Sequence, residues 1–234
     1  MMQMPDGPPK LRIKPLDTSQ TFRHLAYGTL KKAITEMDIY SHPGEIRLDE
    51  RRLSHDLAIS RTPVREAITL LEQEGFLRSS PRRGIFVLRK TKAEILEMIA
   101  VWAALESLSA RLATAAASDA ELEKLRSMFS EFEHEKPADH LSEYSEANIA
   151  FHQTIIRLGG CKLIADITAN LFIHMRAIRK VTIGQDNRAE RSIIDHMNII
   201  TALVARDADK AERLVREHTF GLYAHVEKHG DFLG

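Results

Sequence analysis

The segment LDERRLSHDLAISRTPVREAITLLEQEGFLRSSPRRG, residues 48–84, contains two helix-like stretches separated by a short turn. The second stretch begins at Ser60, whose hydroxyl can accept a hydrogen bond from a free amide of the first turn. Pro63 is tolerated in that turn, and Gly75 ends the stretch at a C′-type position. One apolar face follows at helical spacing: Val64, Ala67, Ile68 and Leu71. The pattern predicts a short amphipathic helix that ends at Gly75.

Arginines occupy the surfaces that this pattern leaves exposed. Arg61 and Arg65 lie four residues apart, so they share a face away from the apolar stripe. The preceding helix, residues 49–58, is capped by Asp49 and turns two arginines outward: Arg51 and Arg52. A short helix with arginines at its N-terminal end fits the major groove of DNA, where arginine pairs with guanine or phosphate. The alternative is an ordinary amphipathic helix with solvated arginines.

Two strand-like runs follow the second helix, at residues 76–78 and 85–87. Pro81 and Gly84 mark a turn between them. Two arginines lie at its tip: Arg82 and Arg83. A hairpin in this position is a wing that touches the minor groove or its phosphates. The order of elements therefore predicts a winged helix-turn-helix.

This part of the chain, residues 21–88, resembles the DNA-binding domain of the GntR family of bacterial transcription regulators. The likeness is based on Pro43-Gly44, Leu53-Ser54, the run SRTPVREA at residues 60–67, Glu74-Gly75 and Arg83-Gly84. The resemblance implies that five residues contact operator DNA: Arg51, Arg61, Thr62, Arg65 and Gly84. The chain departs from the family at Ala58, where a turn glycine is usual.

The charge of the chain is unevenly distributed, although its formal net charge is zero. Residues 10–92 contain 17 Lys and Arg against 10 Asp and Glu, a net charge of +7. Residues 93–234 contain 16 Lys and Arg against 22 Asp and Glu, a net charge of −6. This asymmetry favours a basic part that binds nucleic acid, joined to an acidic part.

A chain of 234 residues has room for two ordinary domains. We predict a flexible N-terminal arm at residues 1–20, a winged helix-turn-helix domain at 21–90 and an all-helical domain for effector, metal and dimerisation at 91–230. No apolar run approaches the roughly 18 residues of a membrane span, and the arm lacks the apolar core of a secretory signal. Cys161 is the only cysteine, which suits a reducing compartment. We therefore expect a cytoplasmic bacterial protein, associated with the nucleoid when it binds DNA.

Every long segment after residue 93 has helical periodicity. The predicted helices are residues 93–117, 119–136, 140–158, 162–181, 187–205 and 207–230, in addition to a first helix at 21–37. Six antiparallel helices with short connections form a bundle. The expected fold class is mainly α, with an N-terminal winged helix-turn-helix and a C-terminal antiparallel all-helical bundle.

Three of the 11 histidines lie on the apolar stripes of three predicted helices: His152, His196 and His218. Asn148 precedes His152 by one turn, so both side chains project the same way. Imidazoles that converge in a dry helical bundle suit Zn²⁺, Ni²⁺ or a similar divalent ion. A single inward histidine is usually a hydrogen-bonded core residue, and that alternative stays open.

Residues 92–229 resemble the FCD effector domain of FadR-type GntR regulators. The likeness is based on the run NIAFH at residues 148–152, Asp195-His196, Asp207 with Ala211, and Glu217-His218. It implies that Asn148 and the three histidines hold a divalent metal that helps to bind a small carboxylate effector. Asn148 replaces the more usual Asp, and the loss of one negative charge is expected to weaken the site.

Two residues are candidates for the effector pocket. Trp102 stands where many FCD domains have Arg, and Gly160-Cys161 replaces a common Gly-Asn, so the effector is expected to differ from the usual one. Trp102 favours a bulkier or flatter ligand. His174 is the second candidate, because it lies on the apolar stripe of its helix. That stripe consists of Ile167, Leu171 and Ile178. Its helical phase predicts that Arg176 and Arg179 point away from it.

These features predict a transcription regulator, a repressor rather than an activator, controlled by a small organic acid bound beside the metal. We expect a homodimer, because one winged helix reads too few base pairs and two-fold operators match two-fold proteins. The alternatives are a metal-sensing regulator, a metalloenzyme in the helical domain, and a structural metal or none. The metalloenzyme is disfavoured because no acid or base stands at a diagnostic spacing.

Overall fold

The computed structural model describes residues 20–40, 44–133 and 139–233. Three predicted features lie wholly or partly outside these residues: the N-terminal arm up to residue 19, Pro43 of the Pro43-Gly44 pair and the end of the helix predicted at residues 119–136. The described chain is mainly helical with one small sheet, which confirms the predicted fold class.

The N-terminal part is a winged helix-turn-helix. Its elements are α1 (Gln20–Glu36), β1 (Arg47–Leu48), α2 (Glu50–Asp56), α3 (Arg61–Gln73), β2 (Leu77–Ser80) and β3 (Gly84–Val87). The antiparallel sheet has the order β1-β3-β2, with Arg47 opposite Phe86 and Leu77 opposite Val87. The short strand β1 was not predicted, and it brings Arg47 to the wing.

Caps and turns define the ends of the two central helices. The Asp49 carboxylate accepts a hydrogen bond from the Arg52 amide at 2.8 Å and caps α2. Ser60 occupies the N-cap position of α3, but its hydroxyl makes no capping hydrogen bond, contrary to the prediction. Gly75 follows α3 with a φ of 78°, the expected left-handed C′ conformation. Ala58, in the turn before α3, has a φ of 52° that glycine would adopt with less strain.

The C-terminal part is an all-helical bundle. Its helices are α4 (Lys92–Ala116), α5 (Asp119–Ser127), α6 (Leu141–Leu158), α7 (Lys162–Thr182), α8 (Arg188–Val204) and α9 (Ala208–His229). The helix predicted to reach residue 136 ends at Ser127, and a 3₁₀ helix follows at Ser130–Glu133. The chain leaves the helical path there because Phe129 and Phe132 are buried beside Tyr144. Within the described residues, no helix has the length and hydropathy that crossing a membrane requires.

Two clusters of buried side chains form the core. One continues from α1, α3 and the wing into α4, α7 and α9, and it includes Leu30, Leu71, Ile99 and Ile178. The other lies among α4, α5, α6, α8 and α9. The first cluster includes residues of both α1 and α7, and these two helices pack directly against each other.

Candidate functional site

A cleft of about 850 Å³ opens between α2, α3 and the wing. Five exposed arginines line it: Arg47, Arg51, Arg61, Arg65 and Arg82. Guanidinium groups match both the phosphates and the guanine edges of a DNA duplex. The cleft is therefore the candidate nucleic-acid interface.

Glu50 orients the two arginines of α3 in this cleft. Its carboxylate accepts hydrogen bonds from Nε of Arg61 at 2.6 Å and from Nε of Arg65 at 2.9 Å. The hydrogen bonds from Arg65 and Arg61 lower the pKa of Glu50, which keeps the carboxylate ionised. Glu50 thus fixes the orientation of each guanidinium group through its Nε.

Of the remaining residues predicted to contact DNA, some line this cleft and others do not. Gly84 lines the cleft with a φ of 113°, and a Cβ there would lie 2.9 Å from Nε of Arg47. Three predicted residues are exposed but do not line the described cleft: Arg52, Thr62 and Arg83. Arg83 donates to Glu45 at 2.8 Å instead. Arg47 was missed because a two-residue strand has no alternating pattern to mark it.

His152 on α6, His196 on α8 and His218 on α9 form a buried cluster inside the bundle. Their ring centroids lie between 4.7 and 5.3 Å apart, and one nitrogen of each ring lies within 4.8 Å of the others. Burial lowers the pKa of His218, and it lowers the pKa values of His152 and His196 well below the usual value. The neutral imidazole is the form that binds divalent metal ions.

Each of these rings has partners that orient it. Nδ1–H of His152 donates to the Glu106 carboxylate, and Nδ1–H of His218 donates to Asp195 at 3.0 Å. His196 contacts two hydroxyl groups, those of Tyr144 and Ser192. Histidines that bind metals have outer partners of this kind, which fix the tautomer and the ring orientation.

Asn148 lies one turn before His152 on α6 and is 2% exposed. Its Oδ1 is buried without a hydrogen-bond partner among the described residues. A buried acceptor in this state costs about 1–3 kcal/mol, which a bound ion would offset. Three neutral imidazoles and an amide oxygen form a donor set that fits Zn²⁺ or Ni²⁺ once Arg179, which donates to Nε2 of His152 at 2.6 Å, moves off that nitrogen.

Glu106 and Arg179 are two buried charged residues at this cluster that the sequence did not reveal. Arg179 is 5% exposed, so the prediction that it points away was wrong, and its Nη1 donates to Nε2 of His152 at 2.6 Å. Glu106 accepts from the Trp102 indole at 2.8 Å and from the Thr219 hydroxyl at 3.2 Å. Burial raises the pKa of Glu106 and lowers that of Arg179.

The error at Arg179 came from the helical phase assigned to α7. Ile167, which defined the predicted stripe, is 40% exposed. The buried face consists of Ile164, Thr168, Ile173, His174, Met175, Ala177, Ile178, Arg179 and Thr182. Arg176 does lie away from the cluster, because it donates to Glu146 at 2.8 Å and to the Glu36 carbonyl at 3.2 Å.

The two predicted pocket residues lie at different places. Trp102 borders a largely apolar cavity of about 330 Å³, together with Phe172 and Cys161. His174 does not line that cavity and is not part of the histidine cluster, so its role as a pocket residue stays a prediction. The Tyr40 hydroxyl donates to its Nδ1 at 2.7 Å, because the first core cluster brings α7 against the N-terminal part.

A second cleft, of about 350 Å³, extends to His218 at the edge of the cluster. Arg188 and Arg191 lie along it, near Asp195. Burial lowers the pKa of Arg188 to about 10, so its side chain stays positively charged at neutral pH. Nε of Arg188 has no hydrogen-bond partner within the described chain. The cleft thus offers cationic donors next to the histidines.

Models of two protein families match the chain. Residues 27–87 match the family described as bacterial regulatory proteins, gntR family, and residues 97–220 match the FCD domain.

Known relatives cover most of the chain. It is 26% identical over 203 residues to the HTH-type transcriptional repressor RspR of Escherichia coli (strain K12), which is 87% of this chain and 88% of the relative. It is 30% identical over 173 residues to the gluconate operon transcriptional repressor of Bacillus licheniformis, 69% of this chain and 68% of the relative. The solved structure of E. coli McbR/YncC superposes with a TM-score of 0.73 at 19% identity, over 90% of this chain and 99% of that one.

Proposed function

Because this chain belongs to the gntR family of bacterial regulatory proteins and contains an FCD domain, we propose that it is a repressor controlled by a small carboxylate bound beside a divalent metal ion. It is a DNA-binding transcription regulator rather than an enzyme. We assign it to the FadR-type subfamily, with residues 21–90 as the DNA-binding domain and 91–230 as the effector domain. Such a regulator acts in the bacterial cytoplasm, where its operator lies.

The metal part of this proposal rests on the buried cluster of His152, His196 and His218 and on the unpartnered oxygen of Asn148. These four residues would hold the ion, Zn²⁺ or Ni²⁺. When bound, the ion would supply a positive charge that attracts a carboxylate. All four ligands are neutral, and the nearest negative charges are the carboxylates of Glu106 and Asp195 behind His152 and His218.

The effector part rests on three arginines around the cluster. Nε and Nη2 of Arg179 are buried without hydrogen-bond partners among the described residues, and so is Nε of Arg188. Arg191 lines the cleft beside Arg188. Guanidinium groups with free donors bind carboxylates through paired, charge-assisted hydrogen bonds. A small organic or sugar acid would satisfy these donors.

Helix α7 connects the candidate effector site to the DNA-binding part. Arg179 of α7 contacts His152, and His174 of the same helix contacts Tyr40. Lys180 forms an ion pair with Asp38 at 3.1 Å. An effector that displaces Arg179 could therefore shift α7 against the N-terminal part. It changes operator affinity only to the extent that it binds the two arrangements differently.

A homodimer would complete the DNA-binding unit. One winged helix contacts a single half-site, and two-fold operators match two-fold proteins. The relatives named as repressors favour repression as the direction of control.

The direct test measures operator affinity while metal and acids are varied. Operator duplexes are selected from random sequences, and their binding to metal-loaded protein is followed by fluorescence anisotropy with a panel of small organic and sugar acids. One acid is expected to change the Kd about 10-fold, and chelation or His196→Ala is expected to abolish that change. The amide of the active acid serves as the uncharged control.

Two results would contradict the proposal. Loss of DNA binding on chelation, with no effect of any acid, would instead indicate a metal-sensing regulator. An unchanged affinity under all conditions would leave the histidines as core residues or ligands of a structural ion.

A further inference from the structure

Asp186, His225 and His229 form a second group of candidate metal ligands. The two histidines lie one turn apart on α9, and Asp186 lies in the turn between α7 and α8. Oδ2 of Asp186 is 3.2 Å from Nε2 of His229 and 3.9 Å from Nδ1 of His225. His218 precedes His225 by seven residues on α9, roughly 10 Å along the helix axis, so this group is separate from the buried cluster.

The surroundings of His225 leave one ring nitrogen free to bind an ion. Its Nε2–H donates to Oε1 of Gln185 at 2.7 Å. The lone pair is therefore on Nδ1, the nitrogen that faces Asp186. A hydrogen bond on the far nitrogen is the usual way in which a metal-binding histidine is held.

The spacing of the three atoms is close to that of a coordination sphere. With bonds of about 2.0–2.1 Å, the ligand atoms of a tetrahedral zinc site lie roughly 3.3 Å apart. The candidate ligand atoms lie within 4.8 Å of one another, so small side-chain movements would bring them onto one ion. Asp186 and His229 are partly exposed, which gives an ion access from solvent.

The donor set also restricts which ion fits. Arg188, Arg191 and Lys228 line the same cleft, and their charges oppose any cation. Ca²⁺ and Mg²⁺ prefer oxygen ligands and gain little from two imidazoles. Imidazole suits Zn²⁺, Ni²⁺ and Cu²⁺, and the Asp186 carboxylate supplies one negative charge against these cations.

We propose that Asp186, His225 and His229 bind a divalent transition-metal ion of the Zn²⁺, Ni²⁺ or Cu²⁺ type at the mouth of the cleft that extends to His218. The ion would join the α7–α8 turn to α9. The alternative is an ion pair between Asp186 and a protonated His229, which needs no metal.

The test counts Zn²⁺ ions bound per full-length chain by equilibrium dialysis of chelator-stripped protein. Wild type is expected to bind one zinc ion more than His229→Ala. Asp186→Asn is expected to lower the affinity for that ion about 10-fold or more. The difference between variants reports this site whether or not the buried cluster also binds an ion. His55→Ala is the matched control, because His55 forms an exposed pair with Asp56 at 3.3 Å.

The expected zinc counts are unchanged in His55→Ala and lower by one in His229→Ala. Circular dichroism checks that the variants are folded, which is expected because both side chains are partly exposed. Equal counts and affinities in wild type, His229→Ala and Asp186→Asn would overturn the proposal. A fall in melting temperature of the same size with and without zinc, at unchanged zinc counts, would identify the ion pair instead.

Discussion

Replacing Arg179 with methionine tests whether the buried Glu106 is ionised in the folded chain. Glu106 is 0% exposed and Arg179 is 5% exposed, with Nη2 of Arg179 3.8 Å from Oε2 of Glu106. His152, Trp102 and Thr219 all donate to this carboxylate, and three donors suit the ionised form. Burial opposes ionisation by raising the pKa of Glu106, so Arg179 provides the compensating positive charge.

The expected cost follows from the loss of that charge. Removing one partner of a buried ion pair destabilises a protein by about 3–5 kcal/mol. For a chain of this size, each kcal/mol lowers Tm by about 2–4 °C, so Arg179→Met is expected to lower Tm by roughly 6–20 °C. The double variant Glu106→Gln/Arg179→Met is expected to recover at least about 2 kcal/mol. Without Arg179, the ring proton of His152 can move from Nδ1 to Nε2. Nδ1 can then accept a hydrogen bond from the side-chain amide introduced at position 106.

Urea unfolding in the presence of a chelator measures these free energies without a contribution from bound metal. Arg213→Met is the control, because Arg213 pairs with Glu217 on the surface, where both side chains are 59% exposed. That change is expected to cost less than about 1 kcal/mol. A loss below about 1 kcal/mol for Arg179→Met would refute the reasoning, since it would mean that Glu106 is protonated and needs no counter-charge.

Three further predictions concern other parts of the chain. Ala58→Gly is expected to raise the free energy of unfolding by about 0.5–1 kcal/mol, because glycine relieves the left-handed strain at some entropic cost; urea unfolding with an unchanged or lower midpoint would contradict this. Arg61→Ala is expected to lose roughly 1–3 kcal/mol at single base positions, whereas Arg82→Ala weakens binding evenly across sequences; competition with single-base operator variants separates them, and identical profiles would count against this placement of α3. Burial, with Lys90 nearby, lowers the pKa of His174 from 6.5 to about 4 in the folded chain. Between these two pH values the imidazole is therefore protonated in the unfolded chain and neutral in the folded one. The free energy of unfolding is expected to fall as the pH drops through that range, and His174→Gln is expected to remove up to about 3 kcal/mol of the fall. Equal pH profiles of unfolding in wild type and variant would show that His174 is not the group responsible.

The winged helix-turn-helix could be predicted because its signals are local. Residues 64–71 show the apolar stripe, Gly75 marks the end of α3, and the two short runs of the wing flank an obvious turn. β1 could not be predicted in the same way, because two residues form a strand only when β3 lies beside them. The length of α5 was wrong for a similar reason. The aromatic contacts that bury Phe129 are tertiary, and helical propensity does not reveal them.

The histidine cluster could be predicted in part. His152, His196 and His218 stood out because polar residues on apolar stripes are unusual in surface helices. Glu106 and Arg179 did not, because a charged residue in a helix usually marks the exposed face. Each is buried only because the other lies across the bundle, on a helix more than 70 positions away in the chain. The rule that charged residues mark the exposed face of a helix therefore fails at both positions of such a pair.

The contacts of α7 also limit how strongly an effector can act. Any coupling through this helix must change its contacts with the N-terminal part, which include the hydrogen bond between Tyr40 and His174 and two bonds from Arg176 to the Thr35 and Glu36 carbonyls. Each hydrogen bond contributes about 1 kcal/mol net, and the exposed ion pair of Lys180 with Asp38 adds less. Breaking these polar contacts amounts to about 3 kcal/mol, so on their own they account for a change in operator affinity of roughly 100-fold to 200-fold. A larger change would also draw on the apolar packing of α7 against α1 or on a rearrangement between two subunits.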